Sequence, residues 1–306
     1  MQITLAKRFS TSNQVDEYDV KKIKKSLNLL GYYQPLKTTG ITEIPDKNLF
    51  EAIKTFQADY KLPVTGTLAP DDETVTRLNQ EISKTPDGYY IWRTVEDNKV
   101  RGSHAALNGT VRAWNDSPDP GQEFNCRCWA EPLSSTKADR KSAILGNGKA
   151  DFRLKPDLHP NDKKPFYAMH MFSEVNENDN IIIREARLAR IDPDLVRAII
   201  YVETTQGYYD RGYELFNRNQ TLRPMNIHAE FWKNLEYTRK QLETPRDNIK
   251  AGVELLKRIK QHAPHANNAE IATLYNDLGA KRVSDYGARV QKVFVEKPWL
   301  DQKKSR

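Results

Sequence analysis

Glu203 stands where an apolar stripe ends. In "RIDPDLVRAIIYVETTQGYYD", residues 190–210, Asp192 is a good helix N-cap and Pro193 suits the first helical position. Leu195, Val196, Ile199 and Ile200 recur at helical spacing. Glu203, three residues past Ile200 and four past Ile199, falls on the same face. Two roles are open to this carboxylate. It can reach water at the helix end or pair with Arg197 or Arg211. Alternatively, partial desolvation disfavours its charged form, so that it keeps a proton to give to a glycosidic oxygen. The loop beyond it offers aromatic and hydroxyl groups, Tyr208 among them, that suit the lining of a sugar cleft. It also offers Asp210 and then Glu214 as second carboxylates. Asp210 facing Glu203 across a water-sized gap would give hydrolysis with inversion.

A second group of reactive types lies upstream. His104, Asp116, Asp119, Cys126 and Cys128 fall close together in sequence. One imidazole, two thiolates and a carboxylate satisfy a tetrahedral zinc ion, with Asp116 as the candidate fourth ligand. A disulfide across the single residue of "NCRC" would be strained, which leaves two free thiols or half of a metal site. Three outcomes are open: a structural zinc knot, a metal-free fold, or an ion with an open position that activates water for amide hydrolysis.

The elements that must hold these groups read as mainly α. Residues 15–82 form three short helices. Val20, Ile23, Leu27 and Leu30 share a face and Gly31 stops the first. Leu49, Ala52, Ile53 and Phe56 repeat in the second, and a third is capped near Asp71 or Asp72 with Val75 and Leu78 inward. Residues 86–134 form a short α+β segment, with a strand at Tyr89–Trp92 and turns at "NG" and "SPDPG". Its apolar residues are too few for a large core, and a metal would compensate. Residues 135–164, polar and rich in Gly and Pro, read as a linker in which His159 is solvent-exposed. Residues 165–300 form an all-helical domain. Its helices include "FWKNL", one with Ile249, Val253, Leu256 and Ile259 inward and Gly252 for close packing, one with Ala272, Leu274 and Tyr275, and a last one with Val283, Tyr286, Val290 and Phe294 inward.

The chain is 38% hydrophobic and 29% charged, with a net charge of +7. The excess is spread along it rather than gathered on an arm, so no nucleic-acid partner is expected, and an anionic polymer such as a cell wall fits. No stretch is apolar enough to span a membrane. "MQITLAKRFSTSNQ" lacks the apolar core of a secretory signal, so the expectation is synthesis in the cytoplasm and export by a specialised system.

Three resemblances follow from quoted motifs. "SLNLLGYY", "AIKTFQADYKLPVTGTL" and "ETVTRL" resemble the peptidoglycan-binding module of wall hydrolases, with a longer turn at "ITEIPDKNLF". This implies peptidoglycan as a partner. "VRGSHAALNGTV" followed by "EFNCRC" resembles the phage Mu F-like minor head proteins, a motif also fused to toxin and wall-hydrolase domains. "VRAIIYVET", "RPMNIHAEFW", "DNIKAGVELLKRI", "IATLYNDLG" and "VSDYGARV" come in the order of the lysozyme-like superfamily of goose-type lysozymes and lytic transglycosylases. Here Thr204 stands for the usual Ser, Arg223-Pro224 for a small residue and Asn226 for Gln. The resemblance implies Glu203 as general acid, Asn226 and Ile227 at the cleft floor, and Tyr275 and Asn276 contacting substrate or orienting Glu203. It needs no cofactor in that domain, and zinc belongs only to the middle segment.

Taken together, these resemblances imply a peptidoglycan hydrolase that cuts the MurNAc–GlcNAc bond, with a second, zinc-dependent amidase activity left open for the middle segment. Its setting would be that of an antibacterial effector of type VI kind, acting in a target cell's periplasm and countered by a cognate immunity protein. The alternative is a phage structural or assembly protein whose lysozyme-like domain opens the wall locally. A wall-binding protein with a dead hydrolase fold is a third reading, disfavoured by the presence of Glu203 and the Tyr275-Asn276 pair.

Overall fold

The computed structural model describes residues 3–11, 15–85, 88–133, 135–160, 165, 167–207, 221–229, 232 and 237–302. The chain forms two compact units, Met1–Ser135 with Lys149–Asp151, and Thr136–Gly148 with Phe152–Arg306. It is mainly helical, and no described helix is long and apolar enough to cross a membrane.

In the first unit three helices carry Asp N-caps. Asp16 starts α1 (Glu17–Leu29), Asp46 starts α2 (Lys47–Asp59) and Asp72 starts α3 (Glu73–Ile82), each side chain accepting a free amide of the first turn. Their inner faces, with Leu68 of the loop before α3, close on one core: Val20, Ile23, Leu27, Leu49, Ile53, Phe56, Val75 and Leu78. Leu30 is the half-buried C-cap of α1, and Gly31 beyond it takes φ +75°, the left-handed turn that ends the helix. Lys24, fully buried, meets the Asp46 carboxylate at 2.6 Å and donates to the Ile44 carbonyl at 2.6 Å. This pair organises the longer turn before α2.

The strand expected at Tyr89–Trp92 is β1 (Tyr89–Arg93), the centre of a three-stranded antiparallel sheet. Its neighbours are β2 (Val111–Ala113) and β3 (Trp129–Pro132), and the short α4 (Gly102–Ala105) lies between β1 and β2 in the chain. The sheet and the three helices, expected as separate modules, belong to one unit. The joint is polar and buried. Asn28, 3% exposed, donates to the carbonyls of Tyr33 at 2.9 Å and Ala130 at 3.0 Å, and accepts the Ala130 amide at 2.9 Å. Gly40 has φ +61°, and a Cβ there would stand 1.7 Å from the Arg127 carbonyl oxygen. The next amide, Ile41, donates to that same oxygen. Trp129 of β3 packs into the helical core. A sheet with so few apolar residues cannot bury itself, and the helical core completes it.

The second unit begins inside the expected linker. Residues 137–144 form α5 (Lys137–Ile144), opened by a reciprocal Thr136–Asp139 capping box. Its Arg140 is 2% exposed and donates to the carbonyls of Leu278 and Ala280. A charge-rich stretch reads as linker, yet here its one buried charge is satisfied by carbonyls and Ala143 and Ile144 supply the buried face. The other α-helices among the described residues are α6 (Asp179–Ala189), α7 (Pro193–Thr205), α8 (Arg239–Leu242), α9 (Pro245–His262), α10 (Asn268–Asn276), α11 (Asp285–Glu296) and α12 (Trp299–Gln302). Among the described residues two strand pairs accompany them: β4 (Tyr167–Ala168) with β5 (Gln206–Gly207), and β6 (Thr221–Leu222) with β7 (Ile227–His228). "FWKNL" lies outside the described residues except for Trp232.

Helix α7 is the spine of this unit. Asp192 caps it, and Leu195, Val196, Ala198, Ile199, Ile200, Tyr201 and Val202 are all buried. Helices α6 and α11 pack against it. Helix α11 meets α10 backbone to side chain at Gly287, where a Cβ would lie 2.1 Å from the Thr273 hydroxyl and 2.2 Å from the Ala269 carbonyl.

Replacing Asn28 with Ala strands one amide and two carbonyls in the first unit's interior. Loss of such buried partners should cost about 2–3 kcal/mol, read as a fall in the urea midpoint of the full chain. An unchanged midpoint would mean that water replaces the amide.

Candidate active site and metal centre

Helix α7 delivers Glu203 to the edge of the core, where it is half-buried between buried Val202 and Thr204. Thr204 and Thr205 turn their hydroxyls back to the carbonyls of Ile200 and Tyr201, which ties off the last turn. Both Glu203 oxygens then meet donors from distant elements. The Tyr286 hydroxyl, at the start of α11, donates to Oε1 at 2.6 Å, and the Asn226 amide donates to Oε2 at 2.9 Å. Arg197, one of the two alternative partners read from the sequence, is engaged elsewhere. Its guanidinium pairs with Asp179 at 2.7 Å and Asp194 at 2.6 Å. Arg211, Asp210, Tyr208 and Glu214 lie outside the described residues.

Asn226 sits on a turn that the rest of the unit holds in place. Its φ is +56°, a left-handed conformation that Asn tolerates well. The preceding residue, Met225, is pinned at both backbone groups. Its carbonyl accepts the Tyr275 hydroxyl at 2.6 Å, and its amide donates to Asn248 Oδ1 at 2.8 Å. Asn248 is fully buried and spends its own amide on the carbonyls of Leu222 and Leu242. Met225 also packs onto α9 at Gly252, where a Cβ would fall 2.4 Å from its sulfur. Ile227, expected at the cleft floor, is 2% exposed and anchors the turn from beneath as part of β7. Tyr275 acts through the Met225 carbonyl, whereas Asn276, its neighbour, is exposed at the last position of α10.

The tyrosines are electrostatically coupled to this carboxylate. Burial, the Glu203 charge and the hydrogen bond to it push the Tyr286 phenol well above its ordinary range. Burial and the Glu203 charge do the same to Tyr275. Both therefore stay protonated donors over the physiological range. Tyr286 and Asn248 are the residues that sequence reading passed over. Tyr286 registered as an inward position of the last helix and as part of the "VSDYGARV" motif, and Asn248 as part of a helical motif, neither with a role at Glu203.

The metal-type cluster forms in the first unit, with one of the expected residues missing from it. His104, Cys126 and Cys128 bring their ligand atoms within 4.8 Å of one another, and this group could hold a metal ion. His104 comes from α4. Cys126 and Cys128 lie just before β3. Arg127 between them turns outward to Asp97. His104 Nδ1 lies 3.4 Å from the Cys126 sulfur and 3.7 Å from the Cys128 sulfur. The Trp92 ring meets the imidazole edge-on at 5.3 Å. Asp116 stands outside the cluster because its own turn claims it: its carboxylate accepts the Ala113 amide at 3.1 Å. Glu123 approaches instead, its Oε2 3.4 Å from His104 Nε2 on the far side of the ring. The Cys126 thiol is drawn down by a hydrogen bond from Cys128, by the Cys128 and Gly121 amides and by His104, while that same bond and burial push Cys128 up.

Residues 16–78 match the family described as "Putative peptidoglycan binding domain", and residues 71–131 match "Phage Mu protein F like protein". The second match begins just before the last helix of the three-helix module and overlaps the first, as expected of segments that share one folded unit. Neither match reaches Glu203. No curated protein and no solved structure matches the chain.

Two outcomes are expected from this geometry. Gly252→Ala should force Met225 and the Asn226 turn aside, costing roughly 1–3 kcal/mol by overpacking in a thermal melt. Wild-type stability in that variant would show that the turn yields freely. The raised tyrosines also set a pH dependence. Their protonated form is favoured by folding, so this contribution is present below the free phenol value of about 10 and is lost as pH climbs above it. Tyr286→Phe should flatten that alkaline decline in urea titrations. An identical decline would exclude Tyr286 as its source.

Proposed function

We propose that this chain is a peptidoglycan-directed glycosidase in which Glu203 is the general acid. The carrying observation is the arrangement of its carboxyl group, which sits half-buried at the end of a buried helix and is fixed by Tyr286 and Asn226. A general acid must be aimed at one leaving-group oxygen, and a carboxyl group held at both oxygens cannot swing away. The match of residues 16–78 to a peptidoglycan-binding family supports cell-wall association and makes the wall glycan the natural substrate. The bond in question is the one between N-acetylmuramic acid and N-acetylglucosamine.

Proton transfer from Glu203 to the glycosidic oxygen breaks the C–O bond and leaves an oxocarbenium-like sugar. The second step separates two products. Water activated by a second carboxylate gives a reducing end, with Asp210 as the candidate base. Return of a proton to Glu203 with internal capture by the sugar's own hydroxyl gives an anhydro end. We further propose that the protein acts on the wall of a target cell as an antibacterial effector, exported by a specialised secretion system and neutralised by an immunity protein that covers Glu203. The pairing of a wall-binding match with a phage-head-like match supports that setting. The same phage-head-like match also favours a second reading, a phage assembly protein that opens the wall locally.

Digestion of purified sacculi by the wild-type protein, with the soluble products read by mass spectrometry, tests the proposal. Disaccharide-peptides are expected, and their reducing or anhydro ends name the second step. Free stem peptides without cleaved glycan would contradict the glycosidase reading and make the chain an amidase. No soluble product would leave wall binding or assembly as its role.

A further inference from the structure

We infer that His104, Cys126 and Cys128 form a buried zinc site with three protein ligands, beside Glu123, that fastens the "EFNCRCW" segment inside the first unit. The distances are those of a ligand set. For a tetrahedral ion with Zn–N of about 2.05 Å and Zn–S of about 2.3 Å, the N···S edge is about 3.6 Å. The two observed edges, 3.4 and 3.7 Å, fall on either side of it. Both sulfurs converge on the same imidazole nitrogen, and the single proton that nitrogen can carry serves one of them well, whereas a cation serves all three atoms. The opposite nitrogen, buried without a hydrogen-bond partner, has Glu123 Oε2 3.4 Å away, on the side where a metal-bound histidine commonly finds its carboxylate.

Burial decides the role. His104 is 2% exposed and each cysteine 3%, and Tyr90, Trp92, Leu107 and Trp114 close around the sulfurs. No polymer strand reaches such an ion, so the site binds rather than cleaves. The segment it fixes is the one whose Arg127 and Ala130 backbone groups engage Ile41 and Asn28 of the helical module. Loss of the ion therefore loosens the joint between sheet and helices. The site is independent of any chemistry at Glu203.

Titration of the metal-stripped full chain with Co2+ tests this. One ion per chain is expected, with a thiolate-to-cobalt charge-transfer band that zinc abolishes by displacement. Zinc should also raise the melting midpoint of the stripped protein, and should not do so in the Cys126→Ser/Cys128→Ser double variant. Glu123→Gln, at a residue with an exposed side chain, should keep the stoichiometry and the band while weakening affinity roughly 10- to 100-fold. Absence of the band, or a midpoint that zinc leaves unchanged, would overturn the site. Wild-type affinity in Glu123→Gln would remove Glu123 from it.

Discussion

A carboxyl group at the end of a buried helix has to find donors for both oxygens, and the second unit is arranged around that requirement. Unpaired, Glu203 would lose the hydration of its charge without compensation. Tyr286 and Asn226 supply the two donors, and each needs a scaffold. Tyr286 depends on α11 lying against α10, which the missing side chain of Gly287 permits. Asn226 depends on a turn pinned by Asn248, Tyr275 and the Met225–Gly252 contact. Segments remote in sequence are thus tied to one carboxyl group by hydrogen bonds. This is the geometry expected of a site in which position matters more than local stability.

The first unit solves a different problem with similar means. Its sheet is too poor in apolar residues to stand alone, so it shares a core and a set of buried polar contacts with the three helices. Asn28 does for β3 what Asn248 does for the Met225 turn: a buried amide matches backbone groups that no neighbouring strand supplies. Gly40 and the Cys126–Arg127–Cys128 alternation then set the chain so that both thiols point in while the carbonyl between them faces the helical module. Where burial is thin, such specific contacts carry the fold.

Much of this was legible in the sequence, and the rest was not for identifiable reasons. Asp192, Pro193 and the Leu195–Ile200 stripe placed α7 and Glu203 because caps and periodicity are local signals. The strand at Tyr89 and the inner faces of the first three helices were readable on the same grounds. Tyr286 as the partner of Glu203 was not, since the two are 83 residues apart in sequence and an inward aromatic reads as core. Residues 137–144 read as linker because a charge-rich helix with one buried arginine has little hydrophobic pattern. Asp116 was a ligand by type and spacing alone, and its own turn decided otherwise. Glu123 carries the same chemistry and lies nearer the cysteines in sequence, yet only the fold reveals that it faces His104.

The measurement closest to the central claim compares the wild type with Glu203→Gln for both glycan release from sacculi and sedimentation with them. Gln keeps the size of the side chain and one of its acceptor oxygens and removes the transferable proton. The account predicts that the variant binds sacculi as the wild type does and releases fragments about 10²- to 10⁴-fold more slowly, the range that general acid catalysis supplies. Release at the wild-type rate by Glu203→Gln would contradict it and send the search for the reacting group elsewhere in the chain.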